Sequence, residues 1–166
     1  MKAAVVALWV GLLAAVSVPA ARARDLPRTA PLGSFIGVSE IVASSSHDQI
    51  TPDAVRERVS ARVRRYSLLA PDLGDEGALL VVSVAGQHDH SKSGCVYTTY
   101  TVTVSLMEPA VLEREPGQTL LATTWHATAR SMGFDREIAP EGILDLVDDL
   151  VGRFARQVQA ARSKEK

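Results

Sequence analysis

Residues 78–107 read ALLVVSVAGQHDHSKSGCVYTTYTVTVSLM, and the period of this stretch decides the fold. Leu80, Val82 and Val84 alternate with Val81, Ser83 and Ala85. Beyond the polar link Ser91-Lys92-Ser93-Gly94, Val102, Val104 and Leu106 alternate with Thr101, Thr103 and Ser105. Successive side chains of an extended chain point to opposite faces, so a repeat of two marks a strand with one buried and one wetter face. The stretch is read as two antiparallel strands, 78–90 and 95–107, joined by a tight hairpin.

Working outward, Pro109 is expected to bulge or end the regular pairing, because it has no N–H to give a ladder. Arg114-Glu115-Pro116-Gly117 reads as a turn, and residues 119–130 as a third strand of the same meander. Trp125 falls with Leu121 and Ala127 on one face of that strand. Core packing is the simpler role for it than stacking on a ligand, and the same holds for Tyr97 and Tyr100. The opposite sheet face would carry Thr99, Thr101, Thr103, Thr124, His126 and Thr128. A threonine-rich open face is either a stable solvated surface or a docking surface for a partner.

The repeat changes on both sides of the meander. Thr51-Pro52-Asp53 is a helix start: Thr caps, Pro suits the first turn, and Asp faces the positive end of the helix dipole. Val55, Val59, Val63 and Tyr66 then form one apolar stripe, with Arg56, Arg58, Arg62, Arg64 and Arg65 on the remaining surface. Those arginines read as a solvated helix face rather than a nucleic-acid or lipid contact, given the acidic balance of the chain. Pro140-Glu141 opens a second helix after a loop containing Gly133. Its apolar face is Ile143, Leu146, Val147, Leu150, Val151, Phe154 and Val158, with Asp145, Asp148 and Asp149 opposite as a solvated face.

Residues 35–43 read as a first strand with Ile36, Val38 and Val42 on one side, its place in the sheet undetermined. Residues 71–77 turn the chain. The order is β-α-β-β-β-α, and the simplest burial is an α+β two-layer sandwich: a mainly antiparallel sheet with two helices on one face. The domain is expected over residues 34–162, after a flexible leader at 24–33 with two prolines and before a fraying tail at 163–166.

The first residues form an export signal. Met1-Lys2 is followed by an uncharged run from Ala3 to Val18 and by Pro19-Ala20-Ala21-Arg22-Ala23. Signal peptidase accepts only small side chains at positions −3 and −1, which Ala21 and Ala23 supply, so cleavage would leave Arg24 at the N-terminus and no stable membrane anchor. The apolar run is broken by Gly11 and Pro19, which argues against a spanning helix needing ~20 apolar residues. No Cys follows it, so a lipobox is missing. A periplasmic location is the expectation.

Residues 24–166 carry 16 basic and 19 acidic side chains, a net of −3, which argues against a dedicated nucleic-acid surface. The absence of Asn excludes N-glycosylation sequons. A single cysteine, Cys95, cannot close an internal disulfide, so the fold must rest on its hydrophobic core. Cys95 is then a buried small hydrophobe, an intermolecular bridge or a ligand.

From about residue 35 to 158, the order of elements and two short phrases resemble an exported bacterial protein family with no assigned function. The phrases are Ala122-Thr123-Thr124-Trp125 and Leu146-Val147-Asp148-Asp149-Leu150-Val151 followed by Phe154. The resemblance implies export and the β-α-β-β-β-α layout, and it transfers no catalytic residue. The chain departs from that pattern in the longer, His-rich hairpin from Gln87 to Cys95. More distantly, the layout is similar to envelope accessory domains of the CsgG, TolB N-terminal and LptE type, an analogy of fold alone.

No G-x-S-x-G, P-loop, H-E-x-x-H, G-x-G-x-x-G or CxxC signature is present. Ser46-His47-Asp48 contains the residue types of a hydrolase triad, but consecutive residues cannot converge on a nucleophile. The remaining chemical candidate is Gln87-His88-Asp89-His90 with Cys95. His88 and His90 share a strand face, and a tight turn would return Cys95 towards them, a set suited to zinc or copper. His47 or His126 would be a fourth ligand, though nothing in the sequence brings either close. A soluble polar hairpin tip is the competing reading. No other cofactor is implied. The function expected is therefore a non-catalytic binding or accessory domain of the cell envelope, partnered by another envelope protein or by itself, with a periplasmic metal-binding protein as the alternative.

Overall fold

Along the chain stand β1 (Val38–Ser45), α1 (Pro52–Arg65), a 3₁₀ turn (Pro71–Glu76), β2 (Ala78–His90), β3 (Val96–Leu112), β4 (Glu115–Phe134) and α2 (Pro140–Lys164). They are seen in a computed structural model that describes residues 32, 35–90, 96–112, 114–134 and 139–164. The strands form one sheet in the order β1-β2-β3-β4, with β1 parallel to β2 and the remaining pairs antiparallel. The α+β sandwich expected from the sequence is the fold, and the first strand takes an edge of the sheet. The signal sequence and most of the leader lie outside the described residues. Leu32, within the leader, packs against the core.

Strand alternation survives intact where β2 meets β3. Leu80, Val82 and Val84 stand opposite Leu106, Val104 and Val102, and all six are buried. Both helices lie on that face, α1 against β1 and α2 against β3 and β4. Val55, Val59 and Val63 of α1 meet Ile143, Val147, Leu150, Val151, Phe154 and Val158 of α2 in one continuous core. Each such side chain contributes about 1.5–3 kcal/mol on full burial. Phe154 anchors the seam, with Phe35 edge-on at 5.8 Å and Trp125 at 5.2 Å between ring centroids.

The ends of the elements follow their caps. Thr51 Oγ1 accepts the Ala54 N–H at 3.2 Å, Pro52 fills the first turn, and Arg62, Arg64 and Arg65 crowd the negative end of α1. After α1 the chain turns through Ser67 at φ 53°, an unusual left-handed residue that lets Leu68 drop into the core.

Three expectations need correction. The first strand begins at Val38 rather than at residue 35, and a β-bulge between Val38 and Glu40 shifts its phase. Val38 and Ile41 are therefore the buried pair and Val42 is exposed, because one extra residue reverses every side chain beyond it; Ile36, before the strand, is exposed as well. Pro109 does not end β3. Pairing with β2 stops at Leu79–Met107, so Pro109 sits where β3 has β4 alone as a neighbour, and an absent N–H is tolerated there. The third strand is also longer than residues 119–130. Pro116, Gly117 and Gly133 belong to β4, and the helix that follows runs to Lys164, into the expected tail.

A second bulge sits in β4. Leu106 stands opposite Trp125 and Met107 opposite Thr123, which leaves Thr124 as the extra residue. Its hydroxyl is buried and has no hydrogen-bond partner among the described residues. The shift puts Trp125 and Ala127 against the core but turns Leu121 to the other face, so these three do not share a side as the sequence suggested.

Candidate binding surface

Both helices occupy one face of the sheet, and no described element covers the other. Strand alternation fixes what that open face presents. At its centre are Thr99, Thr101, Thr103 and Ser105 of β3, flanked by Ser83 of β2 and by His126 and Thr128 of β4. Thr103 stands opposite Thr128, their hydroxyls 3.5 Å apart. Of the residues expected here from sequence, Thr124 is the exception, displaced by the bulge.

One end of this face is apolar, a feature the sequence reading passed over. Val42, Leu79, Val81, Met107, Val111 and Leu121 fall on it, with Val42, Leu121 and Val111 exposed by 40%, 46% and 54%. A groove of about 510 Å³ adjoins them, lined by Ser39, Glu40, Pro71, Asp75, Leu79 and Leu121. Leu79 and Val81 gave the available signal: they are apolar at positions the alternation assigns to the wetter side. Scattered apolar residues on a surface are ordinary; here Val42, Val111 and Leu121 share one end of one sheet face beside a groove.

The His-rich hairpin extends from the opposite end of the sheet. His88 stands opposite Thr98, and its Nδ1 shares a 2.9 Å hydrogen bond with Thr98 Oγ1. His90 follows two positions on, opposite Val96. Cys95 lies outside the described residues. Among the described residues no three His, Cys, Asp or Glu side chains are grouped to hold a metal ion.

Ser46-His47-Asp48 is an architectural link. Ser46 continues the parallel pairing beyond β1: its N–H reaches Val84 O at 2.9 Å and its Oγ accepts the Gly86 N–H at 2.7 Å. His47 is buried against Tyr100 with 4.7 Å between ring centroids, and its Nδ1 accepts the Gln49 N–H at 3.0 Å. That acceptor role places the ring proton on Nε2. His47 is thus engaged by Tyr100 and by its own loop, and His126 lies on the open face.

On the acidic side of α2, Asp149 is exposed as expected, whereas Asp145 and Asp148, with Glu141, are engaged from α1. Arg58 of α1 reaches across to Asp148 at 2.7 Å, Glu141 at 3.1 Å and Asp145 at 3.3 Å. The hydrogen bond from Nε to Asp148 and the charge of that carboxylate raise the Arg58 pKa; Glu141 adds to this and desolvation opposes it. The carboxylates clamp two helices together, and they are engaged by Arg58 rather than arranged around an empty centre.

No family model and no curated protein matches the chain. Among solved structures, it is similar to a minor lipoprotein from Acinetobacter baumannii at 15% identity, covering 77% of this chain and 95% of that one, with a TM-score of 0.41.

Proposed function

We propose that this protein is an exported, non-catalytic binding domain of the bacterial cell envelope, and that it works through the open face of its sheet. The observation that carries the reading is that face: four strands wide, threonine-lined at its centre and apolar at one end, with no described element over it. The small residues at Ala21 and Ala23 after an uncharged run support export, and a periplasmic place of action is part of this reading. No described helix is long and apolar enough to cross a membrane.

Short hydroxyl side chains on a pleated surface give a partner close access to a flat, hydrogen-bonding platform, and the apolar end supplies area to bury. A folded partner protein, or a second copy of the chain, fits such a surface better than a small ligand, which needs a concave site. The test is the double substitution Thr101→Arg and Thr103→Arg, which places two bulky cations at the centre of the face without touching the core. A partner retained from the native compartment by the parent protein, or self-association in sedimentation velocity, should be lost in a variant whose melting is unchanged. Retention of both would exclude the open face as the contact.

The metal reading rests on a separate observation, the Thr98 hydroxyl bonded to His88 Nδ1. A partner on one ring nitrogen directs the other outward and is the usual support of a metal-bound imidazole. His88, His90 and Cys95 would be the ligands, for zinc or copper.

A further inference from the structure

The two helices run parallel and in register. Arg58 meets Asp148, and four residues further along each helix, Arg62 meets Gly152. Charge separates along this seam. The first turns of α2 hold Glu141, Asp145, Asp148 and Asp149, whereas residues 58–71 and 150–164 contain no Asp or Glu. Arg58 therefore finds three carboxylates at its level of the seam, and the arginines one turn on find none.

At that level two guanidinium groups converge on one notch. Gly152 is buried inside α2, where a glycine costs about 1 kcal/mol relative to alanine. A Cβ there would lie 3.1 Å from Arg62 Nη2 and 3.3 Å from Arg156 Nη1, so the missing side chain is the space both cations enter. Arg62 lies 5.8 Å from the Tyr66 ring centroid, which backs the notch. Among the described residues neither Arg62 nor Arg156 has an ion pair, and Arg62 Nε is buried with no hydrogen-bond partner. An orphaned buried donor and two like charges at one point are both unfavourable unless an acceptor bridges them.

We propose that the Arg62–Arg156 notch at Gly152 binds a tetrahedral oxyanion of the phosphate-monoester class. A dianion matches two cations in charge, and its oxygens serve two planar donor forks, whereas a carboxylate offers one charge and two oxygens. The site lies on the helix layer, opposite the open sheet face, and stands or falls independently of it. The phosphate group can be free, carried by a soluble ester, or presented by a lipid headgroup.

The test is titration of the mature protein with inorganic phosphate at constant ionic strength, followed by amide and arginine Nε–H resonances. Saturable shifts centred on Gly152 and Arg62 are expected. Arg156→Gln should weaken binding at least roughly tenfold, the loss that follows from removing a charge-assisted contact. Arg156 is exposed, so this variant keeps the fold, and Gly152→Ala, which fills the notch, should weaken binding as well. Cosedimentation with phosphatidic acid vesicles, absent with phosphatidylcholine and lost in Arg156→Gln, would assign the group to a lipid; phosphate binding without cosedimentation would assign it to a soluble source. No saturable shift, or shifts unchanged in both variants, would overturn the proposal. So would binding of single-stranded DNA that survives Arg156→Gln while phosphate gives no response.

Discussion

The Tyr100 ring lies across Gly86, its neighbour on β2: a Cβ built at Gly86 would come within 2.7 Å of Tyr100 Cε1. His47 packs on the same ring. This layer closes the core where the sheet leaves the helices, and it ties the loop after β1 to the base of the hairpin. Gly86→Ala must push the ring off its site and should cost about 1–3 kcal/mol by urea unfolding. In a Tyr100→Leu background the same change should cost far less, because contacting residues couple. Equal costs in the two backgrounds would show that the ring does not select the glycine.

Arg58 holds, from across the helix seam, three carboxylates of α2 that would otherwise repel one another along that helix. Arg58→Gln should destabilise by about 1–2 kcal/mol, a sum of partly exposed pairs each of modest worth. Its folded-state pKa is raised, so its contribution is complete below the ordinary guanidinium value and is lost only as pH rises through the still higher folded value. The difference between parent and variant should therefore be flat from pH 7 to 10 and should shrink in high salt. A difference that vanished by pH 10 would contradict the clamp.

Legibility in the sequence followed whether a signal was local. Thr51-Pro52 and the valine stripe at 55, 59 and 63 describe α1 completely, because a cap and a helical repeat are properties of neighbours. Leu80–Val84 and Val102–Leu106 likewise fix two strands. The bulges after Val38 and at Thr124 are not local. Each is the mismatch between one strand's length and its partner's, so the phase of Val42 and Leu121 had to come from the pairing. Arg58 is the same case: its partners are some 90 residues away, and only the parallel docking of the helices turns an acidic surface into an interhelical clamp. At the candidate site the threonines of β3 were legible, while the apolar end was hidden by reading Leu79 and Val81 as ordinary strand residues.

That apolar end yields its own prediction. Leu121 is 46% exposed on the open face, so Leu121→Lys should change stability by less than about 0.5 kcal/mol. If the face is a contact, the same substitution should weaken partner binding or self-association more than Thr128→Ser does, because burying a charge in an apolar contact costs more than trimming a methyl from a hydroxyl-lined strand. The comparison is made by sedimentation velocity and by capture from the native compartment. Equal effects would place the contact away from the apolar end.

Metal content separates the two functional readings at the hairpin. The Thr98 hydroxyl engages His88 Nδ1 and leaves Nε2 as the nitrogen to bind a metal ion. If zinc or copper is held there with His90 and Cys95, untagged mature protein from its own compartment should carry near-stoichiometric metal by mass spectrometry. His88→Ala should empty it with the fold intact, and Thr98→Val should lower affinity about 10–100-fold, the usual effect of removing such a support. Substitution at Thr98 is the sharper of the two experiments. A histidine that binds metal adventitiously at an exposed tip gains nothing from its neighbour, so metal lost in His88→Ala but indifferent to Thr98→Val would mark casual coordination, and a protein purified empty would return His88 and His90 to the role of solvated hairpin surface.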